Sequence, residues 1–239
     1  MEIDDYSVGM DSLHDNHIVV FANQKGGTGK TTICAHFANY LSNDHDIPVQ
    51  VFDADLQQNL VDQRKDDIAQ KIGEPKYKIE GLSLSDRNYV HNLIKFWKKQ
   101  DTTVLIDAPG NLTQKGLVEV FLLADFIIVP FHYDLNSIRS TRTFVLAILK
   151  LRQLHPEMHP RIIFFCNKKR QGTSTSEELN AWKLVKKFFT QFGAFVSPIG
   201  LHQAIVRYNT IESNKDAKKY TKDCFDSIYK IIYNIKDDE

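Results

Sequence analysis

The sequence predicts an α/β fold, namely a doubly wound, mostly parallel sheet flanked by helices. Five near-continuous apolar runs alternate with longer amphipathic segments. Apolar runs of this kind are typical of parallel strands buried on both faces, and the alternation predicts right-handed helical crossovers between them. The first run is followed directly by a glycine-rich stretch, where a buried strand would turn into a helix.

The predicted strands are short and rich in β-branched and aromatic residues, which favours strand over helix. In chain order they run from His17 to Asn23, Val49 to Asp53, Thr102 to Asp107, Phe126 to Phe131 and Arg161 to Asn167.

The predicted helices carry apolar residues at helical spacing. The first is expected to begin near Gly29, directly after the glycine-rich stretch. Further helices are expected within residues 88–99, 141–154 and 179–192. The last, within residues 214–235, is expected to pack its apolar face on the sheet.

Length and composition favour one domain over residues 17–239, behind an acidic tail over residues 1–16. Of the 239 residues, 42% are hydrophobic and 25% are charged, which is ordinary for a soluble protein with a sizeable core. The formal net charge is zero, but the tail carries five acids and no Lys or Arg. The rest of the chain is therefore modestly basic, which permits contact with nucleic acid without requiring it. We expect the tail to be unstructured.

The cysteines and the N-terminus predict a cytoplasmic protein. Cys34, Cys166 and Cys224 lie far apart and show no metal-binding spacing, so buried, reduced thiols are expected. The N-terminus has acids where a signal peptide would be basic, and no apolar run is long enough to span a bilayer.

The glycine-rich stretch, NQKGGTGKTT, misses the regular phosphate-binding pattern GxxxxGK[ST] at one position, because Gln24 stands where the first glycine belongs. Gly26, Gly27 and Gly29 would let backbone N–H groups close on a phosphate at a helix N-terminus. Lys30 would neutralise the β and γ phosphates, and the Thr31 hydroxyl would hold Mg²⁺. The alternative is a tight strand-to-helix connection without function, which the sequence GKTT between strand and helix disfavours.

Three carboxylates follow predicted strands. Asp107 ends one strand, so it is expected at the carboxyl edge of the sheet, where it can hold Mg²⁺ through water. Asp53 and Asp55 follow another strand and are expected at the same edge, where they would repel each other unless a cation or a water used them. The alternative is that these aspartates only cap the helices that follow them.

The stretch KGGTGKTT resembles the deviant phosphate loop, KGGxGK[ST], of the ParA/MinD/Soj family of P-loop ATPases. VFDADLQQN resembles the first switch of that family, and VLIDAPGNL resembles its Walker B strand and second switch. The resemblance implies a loop, including Thr28 and Thr32, that binds ATP or ADP with Mg²⁺. It also implies a homodimer closed by ATP, in which Lys25 reaches the phosphates bound by the opposite subunit.

The same resemblance implies roles for other residues. Asp55 is similar to the switch acid that positions the attacking water, and Asp53 and Asp107 are similar to the metal-side carboxylates. Asn167 is similar to the residue that reads adenine, and the segment from Pro198 onward is similar to the loop that closes over the base.

Two positions depart from the family pattern. Leu56 stands where proline is usual in the first switch, and Pro109 and Gly110 stand where a double proline is common. The sequence DAPG fits instead the DxxG form of other P-loop NTPases, in which the Gly110 N–H would meet the γ phosphate.

The first functional hypothesis is a DNA-partition ATPase for a plasmid, chromosome or conjugative element, associated with the nucleoid when ATP is bound. It would bind DNA without sequence preference, and a ParB-like or other partner protein would stimulate its slow hydrolysis. Only about sixteen residues precede the first strand, too few for a helix-turn-helix domain. The candidate phosphate contacts, which are alternatively solvated helix faces, are Lys168, Lys169, Arg170, Lys186, Lys187, Lys215, Lys218, Lys219 and Lys222.

Two alternatives remain. A MinD-like positioning protein would use a basic C-terminal helix on a membrane, but the sequence ends in IKDDE, so no membrane partner is expected. A metabolic enzyme on the same scaffold is the other. Its redox form needs paired cysteines, which do not occur between Asp107 and Cys166, whereas an ATP-dependent ligase stays open.

Overall fold

The computed structural model describes residues 16–111, 113–169, 175–212 and 214–235. Its seven strands are β1 Ile18–Phe21, β2 Val49–Asp53, β3 Lys78–Gly81, β4 Thr103–Asp107, β5 Phe126–Phe131, β6 Arg161–Cys166 and β7 Ala194–Phe195. They form one sheet in the order β3-β2-β4-β1-β5-β6-β7, and each neighbouring pair is parallel. The predicted α/β class with a parallel sheet is confirmed.

All five predicted strands are present, and β2 and β5 have the predicted bounds. The prediction missed β3 and β7, the two edge strands. The sequence of β3 is KIEG and largely exposed, and β7 has only two residues, so neither forms an apolar run. An edge strand covered on fewer sides needs less apolar sequence, which is why pattern alone does not reveal it.

The helices are α1 Lys30–Asn39, α2 Asn59–Ala69, α3 Arg87–Trp97, α4 Lys115–Leu123, α5 Leu135–Leu154, α6 Ser176–Phe189, α7 Gln203–Val206 and α8 Lys215–Ile232. A π-helical turn, Tyr40–Asp44, extends α1. The predicted helices correspond to α1, α3, α5, α6 and α8, whereas α2, α4 and α7 were not predicted.

Alternate residues of the central strand pack on opposite layers of helices. Ile18 and Val20 of β1 face a core that includes residues of α3, α4 and α5. Val19 and Phe21 face a second core that includes residues of α1 and α8. All four residues are buried. This two-sided burial explains the unbroken apolar sequence of β1 and is the packing that a doubly wound sheet requires.

The final helix buries its apolar face, as predicted. Cys224, Phe225, Ile228 and Ile232 of α8 are all buried in the core that also holds α1. The three cysteines are buried and free, which agrees with the expectation of buried thiols. In the described part of the chain, no helix combines the length and apolarity needed to cross a membrane.

The acidic tail lies outside the described residues, except for Asn16. The Asn16 side-chain amide donates hydrogen bonds to the carbonyl oxygens of Lys98 (2.6 Å) and Gln100 (2.7 Å). The start of β1 is thereby fixed beside the end of α3.

Candidate functional site

The glycine-rich loop joins β1 to α1 and forms an open cradle. Gly27 and Gly29 have φ angles of 76° and 93°, in the left-handed region that favours glycine. A Cβ atom added at Gly26 or Gly27 would meet no atom within 4 Å, so the space above the loop is free. Helix α1 has no side-chain cap at Gly29, so its first N–H groups are available to an anion.

Asn23 anchors the start of this loop, a role that the sequence analysis missed. Its side-chain amide is buried and donates to the Pro130 carbonyl (2.9 Å) and to Oγ1 of Thr141 (2.8 Å). Its Oδ1 accepts a 3.3 Å hydrogen bond from the backbone N–H of Lys25. An amide directly between an apolar strand and a phosphate loop is the signal that could have revealed this role.

Asn167 holds the loop from the other side. Its Nδ2 donates a 2.8 Å hydrogen bond to the carbonyl of Thr28, which is itself buried. A Cβ atom at Gly29 would lie 2.2 Å from the same Nδ2, so only glycine allows this approach. The Oδ1 of Asn167 accepts from the backbone N–H of Lys168 (2.9 Å).

A small pocket of about 60 Å³ opens beside Asn167. Its lining includes Gly29 and Thr32 from the phosphate loop and helix α1, together with residues 200–202 and two residues of α7. The pocket therefore lies where the predicted base-closing loop meets the phosphate loop. Pro198 is exposed and does not contribute to the lining.

Lys30, Thr31 and Asp107 meet at the base of the cradle. The Thr31 hydroxyl donates a 2.6 Å hydrogen bond to Oδ2 of Asp107, whose Oδ1 is buried without a described partner. Burial raises the pKa of Asp107 to about 7, opposed by the Thr31 hydrogen bond. Burial also lowers the pKa of Lys30, and the charge of Asp107 opposes this shift.

These residues fit Mg²⁺ bound together with a nucleotide. A hydroxyl and a partly satisfied carboxylate are the oxygen donors that Mg²⁺ takes from a protein when phosphate oxygens and water supply the rest. Within the described ranges, no cluster of three or more His, Cys, Asp or Glu residues is placed to hold a metal by itself. Thr31 and Asp107 would therefore share the ion with the phosphates.

Asp53 is engaged within its own loop. Its Oδ2 accepts from the backbone N–H of Leu60 (2.8 Å), and its Oδ1 accepts from that of Asp55 (3.1 Å). It neighbours Asp107 in the β2–β4 register. The carboxylate thereby caps the start of α2, which is the alternative that the sequence allowed for this aspartate. Burial raises the pKa of Asp53, and these backbone hydrogen bonds oppose the shift.

Asp55 and Gly110 lie near the mouth of the loop. Asp55 is half-buried and accepts from the backbone N–H of Gln57 (3.0 Å). Leu56, at the position where the family has proline, is 84% exposed. A Cβ atom at Gly110 would lie 3.9 Å from Nζ of Lys30 and 4.0 Å from the backbone nitrogen of Gly26. The second switch thus approaches both the lysine and the loop backbone.

Lys25 differs from Lys30 in its surroundings. It is exposed and forms no ion pair with any described residue, whereas Lys30 is 9% exposed. The charge of Lys25 affects the pKa of His132, a residue that follows β5 and was not among the predicted site residues. Burial and the positive charge of Lys168 lower the pKa of His132, and Lys25 adds to the shift against the opposing charge of Asp134.

The candidate DNA contacts occupy different places, and Arg170 lies outside the described residues. Lys168 and Lys169 follow β6, and Nζ of Lys168 donates to the Gly27 carbonyl (3.4 Å), within the phosphate loop. Lys186 and Lys187 lie in the last turn of α6.

Several of these lysines already have partners. Lys218 pairs with Asp44 and Lys222 with Asp226. Lys169, Lys186 and Lys219 lie over the rings of Trp182, Phe195 and Tyr220. The exposed lysines without such a contact to described residues are Lys187 and Lys215.

Buried polar residues connect the first switch to the base side of the site, and sequence patterns did not reveal them. Arg64 of α2 donates to Oγ1 of Thr210 (2.8 Å), to the Thr210 carbonyl (2.7 Å) and to the Tyr77 carbonyl (2.6 Å). Asp67 accepts from the N–H (2.6 Å) and hydroxyl (2.7 Å) of Thr210. Helix α2 is thereby fastened to the segment that follows α7.

Comparisons with known proteins agree with this geometry. Residues 19–231 match the model of a family described as the CobQ/CobB/MinD/ParA nucleotide binding domain. No curated protein sequence matches the chain at a significant level.

Solved structures share the fold at low sequence identity. A putative plasmid partition protein of Borrelia burgdorferi bound to AMPPNP has 18% identity and a TM-score of 0.66, covering 92% of this chain and 99% of that one. The MinC:MinD cell division protein complex of Aquifex aeolicus has 15% identity and a TM-score of 0.63, covering 94% of this chain and 99% of that one. Cobyrinic acid a,c-diamide synthase of Mycobacterium smegmatis was solved with a bound ATP analogue and magnesium. It has 18% identity and a TM-score of 0.66, covering 90% of this chain and 94% of that one.

At such identities the likeness establishes the fold alone. The family match, by contrast, spans most of the chain and includes the loop, both switches and Asn167. The chain therefore belongs to the CobQ/CobB/MinD/ParA family of nucleotide-binding proteins, as its resemblance to ParA, MinD and Soj indicated.

Proposed function

We propose that this chain is a Mg²⁺-dependent ATPase that dimerises when it binds ATP and acts in DNA partition. The observation that carries the proposal is the contrast between its two loop lysines. Lys30 is buried near Asp107, as a lysine that serves its own nucleotide should be. Lys25 is exposed at the loop mouth without a described ion pair, so it is free to reach a phosphate held by a second copy.

The site residues divide the work of hydrolysis. Thr31 and Asp107, with Asp53 acting through water, would hold Mg²⁺, which supplies charge neutralisation at the β and γ phosphates. Asp55 would orient the attacking water, and the Gly110 N–H would contact the γ phosphate. Asn167 and residues 200–206, in the segment that follows Pro198, would receive the adenine in the pocket beside Gly29.

DNA partition is the role that the surface supports best. Lys187 and Lys215 are exposed and have no described partner, which suits contact with a phosphate backbone. The likeness to the Borrelia partition protein supports the same role. Such a protein would work in the cytoplasm, on the nucleoid when ATP is bound, with a ParB-like or other partner that stimulates hydrolysis.

The alternatives receive less support. A MinD-like protein would need an apolar helix face for the membrane, but the apolar residues of α8 are buried in the core. The Mycobacterium synthase shares the fold, so an ATP-dependent metabolic enzyme is the second candidate.

Retention of non-specific duplex DNA, measured with ATP, with ADP and without nucleotide, tests the proposal. We expect retention only with ATP, and expect it to fall steeply with salt, because each phosphate contact contributes about 0.9 to the logarithmic salt slope. Replacing Lys187 and Lys215 by Gln should lower that slope by about two, whereas replacing Lys65, which is paired with Asp62, should leave it unchanged. Equal retention in all nucleotide states would refute the partition role.

A further inference from the structure

A second cavity lies at the edge of the sheet opposite the nucleotide site. It has a volume of about 320 Å³ and is formed where β6 and β7 begin, whereas the phosphate loop lies where β1 ends. Its walls come from the end of α5, the connection to β6, residues 192–194 and Ile231 of α8. None of the residues assigned above to nucleotide, metal or DNA contributes to it.

The charged residues of this cavity are all basic. Arg152, His159 and Arg161 contribute to the lining, and no aspartate or glutamate of the described residues does. The other lining residues are apolar, proline or glycine. Two guanidinium groups that share one cavity without a carboxylate repel each other, and a bound anion would relieve that repulsion.

Neither guanidinium is paired with a described carboxylate. Among the described residues, neither Arg152 nor Arg161 forms a salt bridge. Arg152 donates to the Pro160 carbonyl, but its Nε is buried without a described partner. Arg161 donates to the Ile231 carbonyl (3.1 Å) and lies over the Phe126 ring. Both retain N–H groups beyond these contacts, since a guanidinium carries five.

Two described acidic residues of the adjoining cavity, Asp125 and Glu157, have partners of their own. Asp125 accepts from Nζ of Lys98 (3.0 Å) and from the backbone N–H of Ile18 (2.8 Å). Glu157 lies 3.3 Å from His155 and is 70% exposed. Both line the neighbouring cavity, of about 580 Å³, which shares His159 and Arg161 with the first.

Closely packed backbone forms one wall of the cavity. A Cβ atom at Gly193 would lie 2.1 Å from the Ile162 carbonyl oxygen, so this position brings the start of β7 directly against β6. Only glycine at position 193 allows this close backbone approach.

We propose that this cavity is an oxyanion site in which Arg152 and Arg161 bind a phosphate group. Planar guanidinium groups with spare N–H donors suit phosphate because they form paired, charge-assisted hydrogen bonds. The phosphate belongs either to a nucleic acid backbone or to a free anion, and the chemistry of recognition is the same. The proposal does not rest on the partition role, since the site is separate from the nucleotide cradle.

The competing explanation is that both arginines only stabilise helix ends. Arg152 lies in the last turn of α5, and Arg161 contacts a carbonyl in the last turn of α8. Cations are favourable at both places. That explanation predicts a loss of stability on substitution but no bound anion.

Titration of the full chain with inorganic phosphate separates the two explanations. The nucleotide cradle is first filled with a non-hydrolysable ATP analogue and Mg²⁺, so that phosphate cannot enter it, and binding is followed by calorimetry. We expect one saturable site whose affinity falls by about tenfold or more in Arg161→Gln and in Arg152→Gln. Arg161→Lys should retain part of it, and Lys150→Gln, an exposed lysine of α5 outside the cavity, should match the wild type.

The source of the phosphate is decided with duplex DNA and the same variants. If the backbone of DNA is the ligand, inorganic phosphate competes with DNA and Arg161→Gln weakens DNA retention. If a free anion is the ligand, phosphate binding is lost while DNA retention is unchanged. No saturable phosphate binding, or equal affinity in wild type and Arg161→Gln, overturns the proposal. Arg161 is exposed, whereas Arg152 is half-buried, so the Arg161 variant should fold even if that of Arg152 does not.

Discussion

The Thr31 hydroxyl lies 2.6 Å from Oδ2 of Asp107 and donates a hydrogen bond to it. The hydroxyl comes from the first turn of α1 and the carboxylate from the last residue of β4. The fold thus brings together two candidate oxygen ligands for a metal that are 76 positions apart in sequence. Because the other carboxylate oxygen has no described partner, the pair is arranged to accept a cation.

Asp107→Asn should remove the dependence of ATP binding on Mg²⁺. Asparagine keeps the size of the side chain but not its charge, so the affinity gained on adding Mg²⁺ should fall by about 10–100-fold. ATP affinity in excess EDTA should change little, because the cradle itself is intact. Calorimetry with and without Mg²⁺ measures both quantities, and an undiminished Mg²⁺ effect would exclude Asp107 as a metal-side residue.

Lys30→Ala should abolish ATP binding. The ammonium group is buried at the base of the cradle, where the low local dielectric strengthens its interaction with phosphate. Binding of a fluorescent ATP analogue measures the loss, and the far-UV circular dichroism spectrum serves as the control for folding. Retained affinity would mean that the phosphates lie elsewhere.

Arg64→Met should destabilise the protein. The variant leaves the Tyr77 carbonyl without its Arg64 donor and removes one of two donors from the Thr210 carbonyl, which also accepts from the Tyr77 hydroxyl (2.6 Å). We expect a cost of about 2–4 kcal/mol in the free energy of unfolding. Urea denaturation measures this cost. Lys65→Met, at the exposed neighbouring position, should stay within about 0.5 kcal/mol of wild type. If both variants behave alike, the buried contacts of Arg64 do not stabilise the fold.

Glu119→Gln should destabilise the protein in a pH-dependent way. Glu119 is buried on α4, where it pairs with Arg87 and accepts from Nδ1 of His91 at 2.6 Å. Burial favours the neutral acid, but the hydrogen bonds to His91 and Arg87 outweigh it and lower the pKa of Glu119 below its usual 4.5. The stabilisation is therefore present above about pH 4.5 and lost as the pH falls through the lowered pKa.

Thermal unfolding of wild type and Glu119→Gln between pH 3 and pH 7 checks this sign. The free energies of unfolding of the two proteins should differ by about 1–3 kcal/mol near neutral pH, and this difference should shrink in acid. A difference that stays constant over the whole range would show that shape, and not charge, accounts for it.

Sequence patterns predicted the layers of the fold and the identity of the cradle because both depend on local signals. Buried parallel strands such as β5 are continuously apolar, and a phosphate loop must have glycine where its backbone turns. The edge strand β3 was not predicted because its sequence is largely polar. Helix α4 was not predicted either. Helix α7 was not predicted because four residues are too few to show helical spacing.

The contacts between distant residues were beyond such patterns. Arg64 and Thr210 are 146 positions apart, and nothing local in the sequence of α2 indicates a buried arginine. Asn167 was predicted as a base contact, and its place beside the loop agrees with that role, but its hydrogen bond to Thr28 depends on the packing of β6 against the loop. The role of Asn167 toward adenine stays a prediction.

The mass of Lys25→Ala in solution with ATP and Mg²⁺ tests directly whether Lys25 serves the nucleotide of the opposite subunit. Sedimentation of the wild type should show a dimer with ATP and a monomer with ADP. We expect Lys25→Ala to bind ATP with near wild-type affinity, because Lys25 lies outside its own cradle, yet to stay monomeric and to lose turnover. A variant that dimerises and hydrolyses ATP as the wild type does would contradict the assignment of Lys25 to the opposite subunit.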